Sequence, residues 1–142
     1  VLLDAPGGHY WAALQEFVRK HLLGNGLIDA DDLSLYRVTD SIDEAVQEIL
    51  GFFRVYHSMR YVRHHLVLRL TTKLTEEFID QLDRDFADIL LEGGFELRDA
   101  LPEEKDDAAL ADLPRLVFQF DRRHFGRLRQ LIDRLNADGA SE

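Results

Sequence analysis

The chain has 142 residues, of which 46 % are apolar and 31 % charged, and its net charge at pH 7 is −10. This length suffices for one ordinary domain or for pieces of two. The absence of cysteine excludes disulfides and thiolate zinc sites. The negative charge argues against nucleic-acid binding. No apolar run approaches the ~20 residues that span a bilayer, so we expect a cytoplasmic protein with neither nucleic acid nor a membrane among its partners.

The first 53 residues alternate between strand and helix patterns. Apolar periodicity predicts a strand at 1–3, a helix at 9–23, a strand at 35–39 and a helix from 42 to 53. Ser41 and Glu44 have the spacing of a capping box, which predicts where the second helix begins. Since Val1 already lies within the first strand, we expect the chain to be part of a longer protein.

A turn, Pro6-Gly7-Gly8, follows the first strand and precedes His9 and Tyr10. In an open α/β sheet, ligands bind beside the carboxyl ends of the strands, where this turn would lie. The turn matches neither the G-x-G-x-x-G fingerprint nor a Walker loop. A tight strand-to-helix turn is therefore the first interpretation. The alternative is that Gly7, Gly8, His9 and Tyr10 contact a phosphate directly.

The stretch 54–65, RVYHSMRYVRHH, contains three arginines, three histidines and no carboxylate. Its mixed pattern predicts a helical extension or a connector. A helical backbone would align Arg54, His57 and Tyr61 on one face. We take Arg54, His57 and Arg60 as candidates for holding a phosphate or a carboxylate. The alternatives are a solvent-facing linker or a basic face that pairs with the chain's own acids.

The remaining residues, 66–142, show a second arrangement of strands and helices. The predicted elements are a strand at 66–70, a helix at 75–91, strands at 95–98 and 115–120, and a helix at 121–135. This order is that of a ferredoxin-like unit that lacks its final strand. The residues 99–112 carry six carboxylates and one lysine, which favours a solvated loop.

No pattern in the sequence points to catalysis or to metal binding. The chain has no H-E-x-x-H spacing and no G-x-S-x-G elbow. Neighbouring carboxylates are expected by chance among 27 acids. We therefore assign no catalytic residue, no metal ligand and no cofactor.

Several segments resemble the end of the Rossmann-like domain of LOG (Lonely Guy) proteins, also labelled lysine-decarboxylase-like. The resemblance rests on VLLDAPGGHYW at the start, GLIDADDLSLYRVTDSIDEAVQEI after the first helix, and FRVYHSMRYV at 53–62. The last of these is similar to a stretch of the longer bacterial members, which continue with an extra α/β segment. The resemblance implies an α/β fold: the carboxyl-terminal end of a Rossmann-like sheet at 1–53, a basic connector at 54–65 and a small α+β domain at 66–142.

The resemblance also implies a function. LOG enzymes hydrolyse the N-glycosidic bond of nucleoside 5′-monophosphates, and their signature, P-G-G-x-G-T-x-x-E, is missing from this chain. We therefore expect the carboxyl-terminal portion of a dimeric phosphoribohydrolase, inactive on its own, whose partners are a nucleoside monophosphate or another small anion and a second copy. The alternative is a non-catalytic regulatory or dimerisation module that binds a small anion or a nucleotide.

Overall fold

The computed structural model describes residues 1–139 and shows a mixed α/β protein with two sheets and several helices. The chain divides into two compact units. Unit 1 comprises Val1–Gly51 and His124–Gln130, and unit 2 comprises Phe52–Arg123 and the chain from Leu131 onward. The last three residues of the predicted 66–142 domain lie outside the described part. No helix within 1–139 combines the length and the apolar character needed to cross a membrane.

Unit 1 has the predicted strand-helix-strand-helix order. Its elements are β1 (Leu2–Leu3), α1 (Tyr10–Phe17), a π-helical continuation (Val18–Leu23), a 3-10 helix (Ala30–Leu35), β2 (Val38–Thr39) and α2 (Ile42–Phe52). The two strands pair in parallel, with Leu2 opposite Val38 and Leu3 opposite Thr39. The second strand is shorter than predicted: Leu35 belongs to the 3-10 helix, which Asp29 and Asp32 cap, and the next two residues have no regular structure.

The predicted capping box at the start of α2 forms only in part. The Glu44 amide donates to the Ser41 hydroxyl at 3.3 Å, as expected. The Glu44 carboxylate instead accepts from the Thr39 hydroxyl at 2.6 Å, and the same hydroxyl oxygen accepts from the Ser41 amide at 3.1 Å. Thr39 thereby joins the end of β2 to the first turn of α2.

The first half of helix α4 (Phe125–Asp138) belongs to unit 1. Gly126 lies so close to the 3-10 helix that a Cβ at this position would meet the Asp31 backbone at 2.3 Å. The Ser34 hydroxyl donates to the Gly126 carbonyl at 2.9 Å, and the Gln130 amide donates to Asp31 at 2.8 Å. The two hydrogen bonds join residues that are 92 and 99 positions apart in the chain, and they attach His124–Gln130 to unit 1.

Unit 2 is built on a four-stranded antiparallel sheet. Its elements are β3 (Tyr56–Val62), β4 (His65–Leu70), α3 (Glu76–Asp85), β5 (Glu96–Arg98), β6 (Arg115–Phe118) and the second half of α4. The strand order is β3-β4-β6-β5. Helix α3 begins where its sequence predicts, because the Thr75 hydroxyl accepts from the Phe78 amide at 3.2 Å.

The expectation of a helical extension or connector at 54–65 is wrong, because most of this segment is strand β3. It forms a hairpin with β4 through the two-residue turn Arg63-His64, in which Arg63 has a φ of 53°. A bulge at His57 interrupts the alternation of its side chains. The bulge explains the mixed sequence pattern, and pairing with β4 supplies the backbone hydrogen bonds.

The sheet of unit 2 has two different faces. Strand β4 is buried from Leu66 to Leu70, so both faces are covered. One face is apolar and carries Leu66, Leu68, Leu70, Leu116 and Phe118. The opposite face carries a small cluster of Val62, Val67 and Val117, against which Leu101 packs. The same face carries several arginines, which are described below.

Candidate functional site

The predicted turn of unit 1 lies at the carboxyl edge of the parallel strands. Asp4 follows β1 and Asp40 follows β2, so both carboxylates reach this edge. The Gly7 amide donates to Asp40 at 3.0 Å, and the Trp11 amide donates to Asp4 at 3.0 Å. Two backbone amides that could otherwise bind an anion therefore already have carboxylate partners.

The residues of the turn are held in the geometry of a tight connection. Gly7 has a φ of 74°, which favours glycine. The Gly8 amide donates to the Ala5 carbonyl at 2.7 Å, and a Cβ on Gly8 would meet that oxygen at 2.8 Å. His9 and Tyr10 are exposed beside it. Two nearby negative charges oppose the approach of a phosphate, so the structure favours the tight-turn interpretation over the phosphate contact.

The second predicted group, in the basic stretch, is not brought together. Arg54 donates to the Ala137 carbonyl near the end of α4 at 2.7 Å. His57 is exposed at the bulge, with its ring 2.9 Å from the Ser58 hydroxyl. Arg60 points onto the sheet face and donates to Asp107 at 3.0 Å. The expected helical alignment of Arg54, His57 and Tyr61 is wrong because the backbone is extended.

Arginines instead form a row across one face of the unit 2 sheet. Arg69 on β4 lies opposite Arg115 on β6, which in turn lies opposite Arg98 on β5. Arg60 on β3 pairs with Val67 and so shares this face. Like charges directly opposite each other destabilise a sheet unless they are neutralised. Arg69 and Arg115 are also buried, so this arginine row requires anionic partners.

The partner of the two buried arginines is Glu104. Its side chain is fully buried. One carboxylate oxygen accepts from Arg69 Nε at 2.9 Å, and the other accepts from Arg115 Nε and from the Leu101 amide, both at 3.1 Å. Glu104 therefore bridges β4 and β6 and places one negative charge between two guanidinium groups that face each other.

Glu104 belongs to residues 99–113, which we name the acidic strap. Within the strap, Asp107 accepts from Arg60 and Arg69, and Glu103 pairs with Arg63 at 2.9 Å. The expectation of a solvated loop is therefore wrong for this part of the chain. The alternative in which the basic stretch pairs with the chain's own acids is confirmed for Arg60 and Arg63.

The network explains the ionisation of Glu104. Burial raises the pKa of this carboxyl, but hydrogen bonds from the Leu101 amide, Arg115 and Arg69, together with the charge of Arg115, outweigh that effect. The pKa of Glu104 therefore lies below its ordinary value. The carboxylate form is the one that holds the strap on the sheet.

This depressed pKa predicts an acid-sensitive unit 2. A carboxyl whose folded-state pKa is lowered contributes stability above its unfolded pKa, about 4.3, and loses that contribution as the pH falls through the folded-state value. We expect urea unfolding of unit 2 to show this loss in the wild type. The Glu104→Gln variant should lack this component. Identical pH dependence of the two proteins below about pH 4.3 would contradict the prediction.

Two cavities in unit 2 border the sheet. One of about 450 Å³ is lined by mixed charges that include Lys73, Arg98 and Asp112. Another of about 230 Å³ is lined by His65 and Glu92, among others. Within residues 1–139, no three His, Asp or Glu side chains are grouped so that they could hold a metal ion.

Sequence reasoning missed the network of Glu104, Arg69 and Arg115. A signal was present in the strands, since LVLRL and RLVFQF each place one arginine within an apolar run. A buried arginine requires a carboxylate, but six carboxylates of the acidic loop were available and sequence alone does not choose among them.

The two sites differ in what they offer to a ligand. The turn of unit 1 presents carboxylates at the edge of a parallel sheet, and the face of unit 2 presents arginines that are covered by the acidic strap. Comparison with family models, with curated proteins and with solved structures finds no match to this chain.

Proposed function

We propose that this chain is the carboxyl-terminal portion of a LOG-like nucleoside 5′-monophosphate phosphoribohydrolase. Unit 1 would complete a larger parallel sheet, and unit 2 would be an appended α+β domain. The proposal rests on one observation: the parallel strands of unit 1 and the apolar faces of its helices are exposed to solvent. The resemblance of VLLDAPGGHYW and FRVYHSMRYV to LOG sequences supplies the enzyme class.

Parallel strands are normally buried on both faces and paired on both edges. In unit 1, β1 pairs only with β2 among the described residues, and Leu3 is 42 % exposed. Of residues 1–51, only Thr39 and Ala45 are buried. A unit with this pattern is what the edge of a larger α/β sheet would look like when viewed alone.

The helices of unit 1 support the same proposal. Both helices leave large apolar side chains in solvent: Tyr10, Leu14 and Phe17 on α1, and Ile42, Val46, Ile49 and Leu50 on α2. An amphipathic helix is stable in a globular protein when its apolar face packs on a sheet or on another helix. The exposed faces of α1 and α2 fit helices that flank more strands than β1 and β2.

The topology of unit 2 supports an appended α+β domain. Strand β6 lies between β4 and β5, which are connected through α3, so the unit contains a split β-α-β arrangement. In our proposal this is a ferredoxin-like unit whose missing final strand is replaced by β3 at the edge beside β4. Strand β3 belongs to the segment 54–65, which precedes the predicted 66–142 domain in sequence.

The catalytic step would depend on residues outside this chain. The signature P-G-G-x-G-T-x-x-E, whose amides hold phosphate and whose glutamate serves catalysis in LOG enzymes, has no counterpart at Pro6-Gly7-Gly8, which His9, Tyr10 and Trp11 follow. Asp4 and Asp40 are bound to backbone amides of the turn, so we assign them a structural role. The proposal therefore gives this chain a scaffolding role in hydrolysis.

The test is release of free base from nucleoside 5′-monophosphates such as AMP and CMP. We expect the polypeptide encoded by the intact gene to release base and ribose 5-phosphate, and the 142-residue chain alone to release none. Replacing the glutamate of the signature by glutamine in the intact protein serves as the inactive control. Turnover by the isolated chain, or failure of the intact protein with every such nucleotide, would refute the proposal.

A second candidate is a non-catalytic module that binds a small anion or a nucleotide. The arginine row on the unit 2 sheet favours it, since guanidinium groups bind phosphate. Anion binding would require the acidic strap to move. Titration with inorganic phosphate or AMP should then shift the amide resonances of Arg60 and Asp107. Unchanged resonances would mean that the arginine row has only a structural role.

A further inference from the structure

The sheet of unit 2 has one long free edge. Its strand order places β3 and β5 at the two ends, and β5 has only three residues. Strand β3 has seven residues and pairs only with β4 among residues 1–139. An unpaired edge of this length is a template for another strand, so β3 is where the sheet can grow.

The backbone groups that point away from β4 can be identified. The Leu70 amide donates to Pro114, on the side of β6, whereas the Thr71 amide donates to Val55, on the side of β3. Because amides alternate along a strand, Arg69 and Val67 also bond toward β3, where they oppose Ser58 and Arg60.

The intervening residues of β3 are therefore the ones that face outward. These are Met59 and Tyr61, whose N–H and C=O groups have no strand beside them within the described residues. Their side chains are 42 % and 43 % exposed. The Arg122 guanidinium lies over the Tyr61 ring, 4.4 Å from its centroid, so Met59 supplies the uncovered apolar surface of this edge beside its unpaired backbone groups.

Most devices that block edge pairing are missing from this part of β3. Protective edges carry lysine, proline, bulges or free charges. Between Ser58 and Val62 there is no lysine or proline, and the bulge lies before them at His57. The one charged side chain, Arg60, is bound to Asp107 on the covered face. The segment is accordingly open to a partner strand.

We propose that a second copy of this chain occupies the edge, with the two β3 strands antiparallel about a two-fold axis at Met59. Met59 then opposes Met59 of the second copy in a hydrogen-bonded pair, which its outward backbone groups allow. Tyr61 opposes the bulge residue His57 of the second copy, and this pair ends the interface on each side. On the other face, Ser58 opposes Arg60 of the second copy.

The charge pattern permits this register, whose axis lies at the middle residue of β3. An axis at Arg60 would place the two Arg60 side chains directly opposite each other, which is unfavourable. The axis at Met59 opposes no like charges, so the edge is complementary to itself. Because the other edge, β5, is short, pairing closes as a dimer with an eight-stranded sheet and does not propagate into a filament. This inference is independent of the proposed hydrolase function.

The test is the Met59→Pro substitution in the complete chain. Proline lacks an N–H, and because the Met59 N–H points away from β4, the substitution leaves the β3–β4 hydrogen bonds intact while blocking the new pair. We expect sedimentation equilibrium to give twice the chain mass for the wild type and a single chain mass for Met59→Pro. The matched control Met59→Leu keeps the N–H and should remain dimeric.

Amide hydrogen exchange in the wild type provides an independent measurement should Met59→Pro fail to fold. The Met59 and Tyr61 amides should become protected as the protein concentration rises, whereas those of Ser58 and Arg60 should be protected at every concentration. A monomeric wild type, a Met59→Pro protein that stays dimeric, or concentration-independent exchange at Met59 and Tyr61 would each overturn the proposal. Protection of these amides by an added acidic peptide alone would assign the edge to another polypeptide and would also overturn it.

Discussion

We expect the Glu104→Gln substitution to lower the free energy of unfolding of unit 2 by about 3–5 kcal/mol. Glutamine has nearly the same shape but no negative charge, so Arg115 would stay buried without a counter-ion and Arg69 would keep only Asp107. The glutamine would also turn a donor group toward one of the donors that Glu104 accepts from. Removing one member of a buried ion group is costly because the remaining charges stay desolvated.

Urea unfolding monitored by amide hydrogen exchange in β4 and β6 measures this effect directly. Fluorescence is less suitable, because the only tryptophan, Trp11, lies in unit 1. Glu103→Gln is the matched control: its partner Arg63 is 76 % exposed, and such a pair contributes about 0–1 kcal/mol. Equal unfolding free energies for the Glu104→Gln and Glu103→Gln proteins would contradict the prediction that losing the buried carboxylate costs more stability than losing the exposed one.

Local signals predicted much of the fold. The apolar runs at 66–70 and 115–120 form β4 and β6, because strands buried on both faces need little beyond continuous apolar character. Thr75 begins α3 as its hydroxyl predicts. Each of these elements is determined by residues that are adjacent in sequence.

Elements that depend on distant partners were not predictable in the same way. Strand β3 is stabilised by its pairing with β4, and its bulge at His57 removes the simple alternation that identifies a strand. Helix α3 ends at Asp85, before its predicted end at Leu91. A 3-10 helix follows at Ala87–Ile89, and Leu90 then forms a bridge with Phe120 of the neighbouring segment. In both cases the structure includes a tertiary contact that the local apolar pattern does not predict.

The candidate sites show the same division. The turn at Gly7 and Gly8 is local, so its geometry could be predicted, although its carboxylate partner Asp40 lies 33 residues away. The pairing of Arg60 with Asp107 joins residues 47 apart in the chain. Composition predicted that the basic and acidic stretches could pair, but only the sheet register identifies which arginine meets which acid.

The second large expected effect is at Asn136, in the half of α4 that belongs to unit 2. Its side-chain oxygen accepts from the amides of Val55 and Tyr56 at 2.8 and 3.0 Å, and its amide donates to the Phe52 carbonyl at 2.6 Å. One buried side chain thus satisfies three backbone groups where the chain enters β3. The contacts fix the start of the edge strand against the helix.

We expect Asn136→Ala to lower the free energy of unfolding of unit 2 by about 3 kcal/mol, because two buried donors and one acceptor lose their partner together. The chain's other asparagine provides the control: Asn25 is exposed and donates only to the His21 carbonyl, so Asn25→Ala should change stability by less than about 0.5 kcal/mol. Faster exchange of the Val55 and Tyr56 amides in Asn136→Ala would locate the loss at the start of β3. If their exchange is unchanged, Asn136 does not anchor this segment, and the strand must be positioned by its pairing with β4 alone.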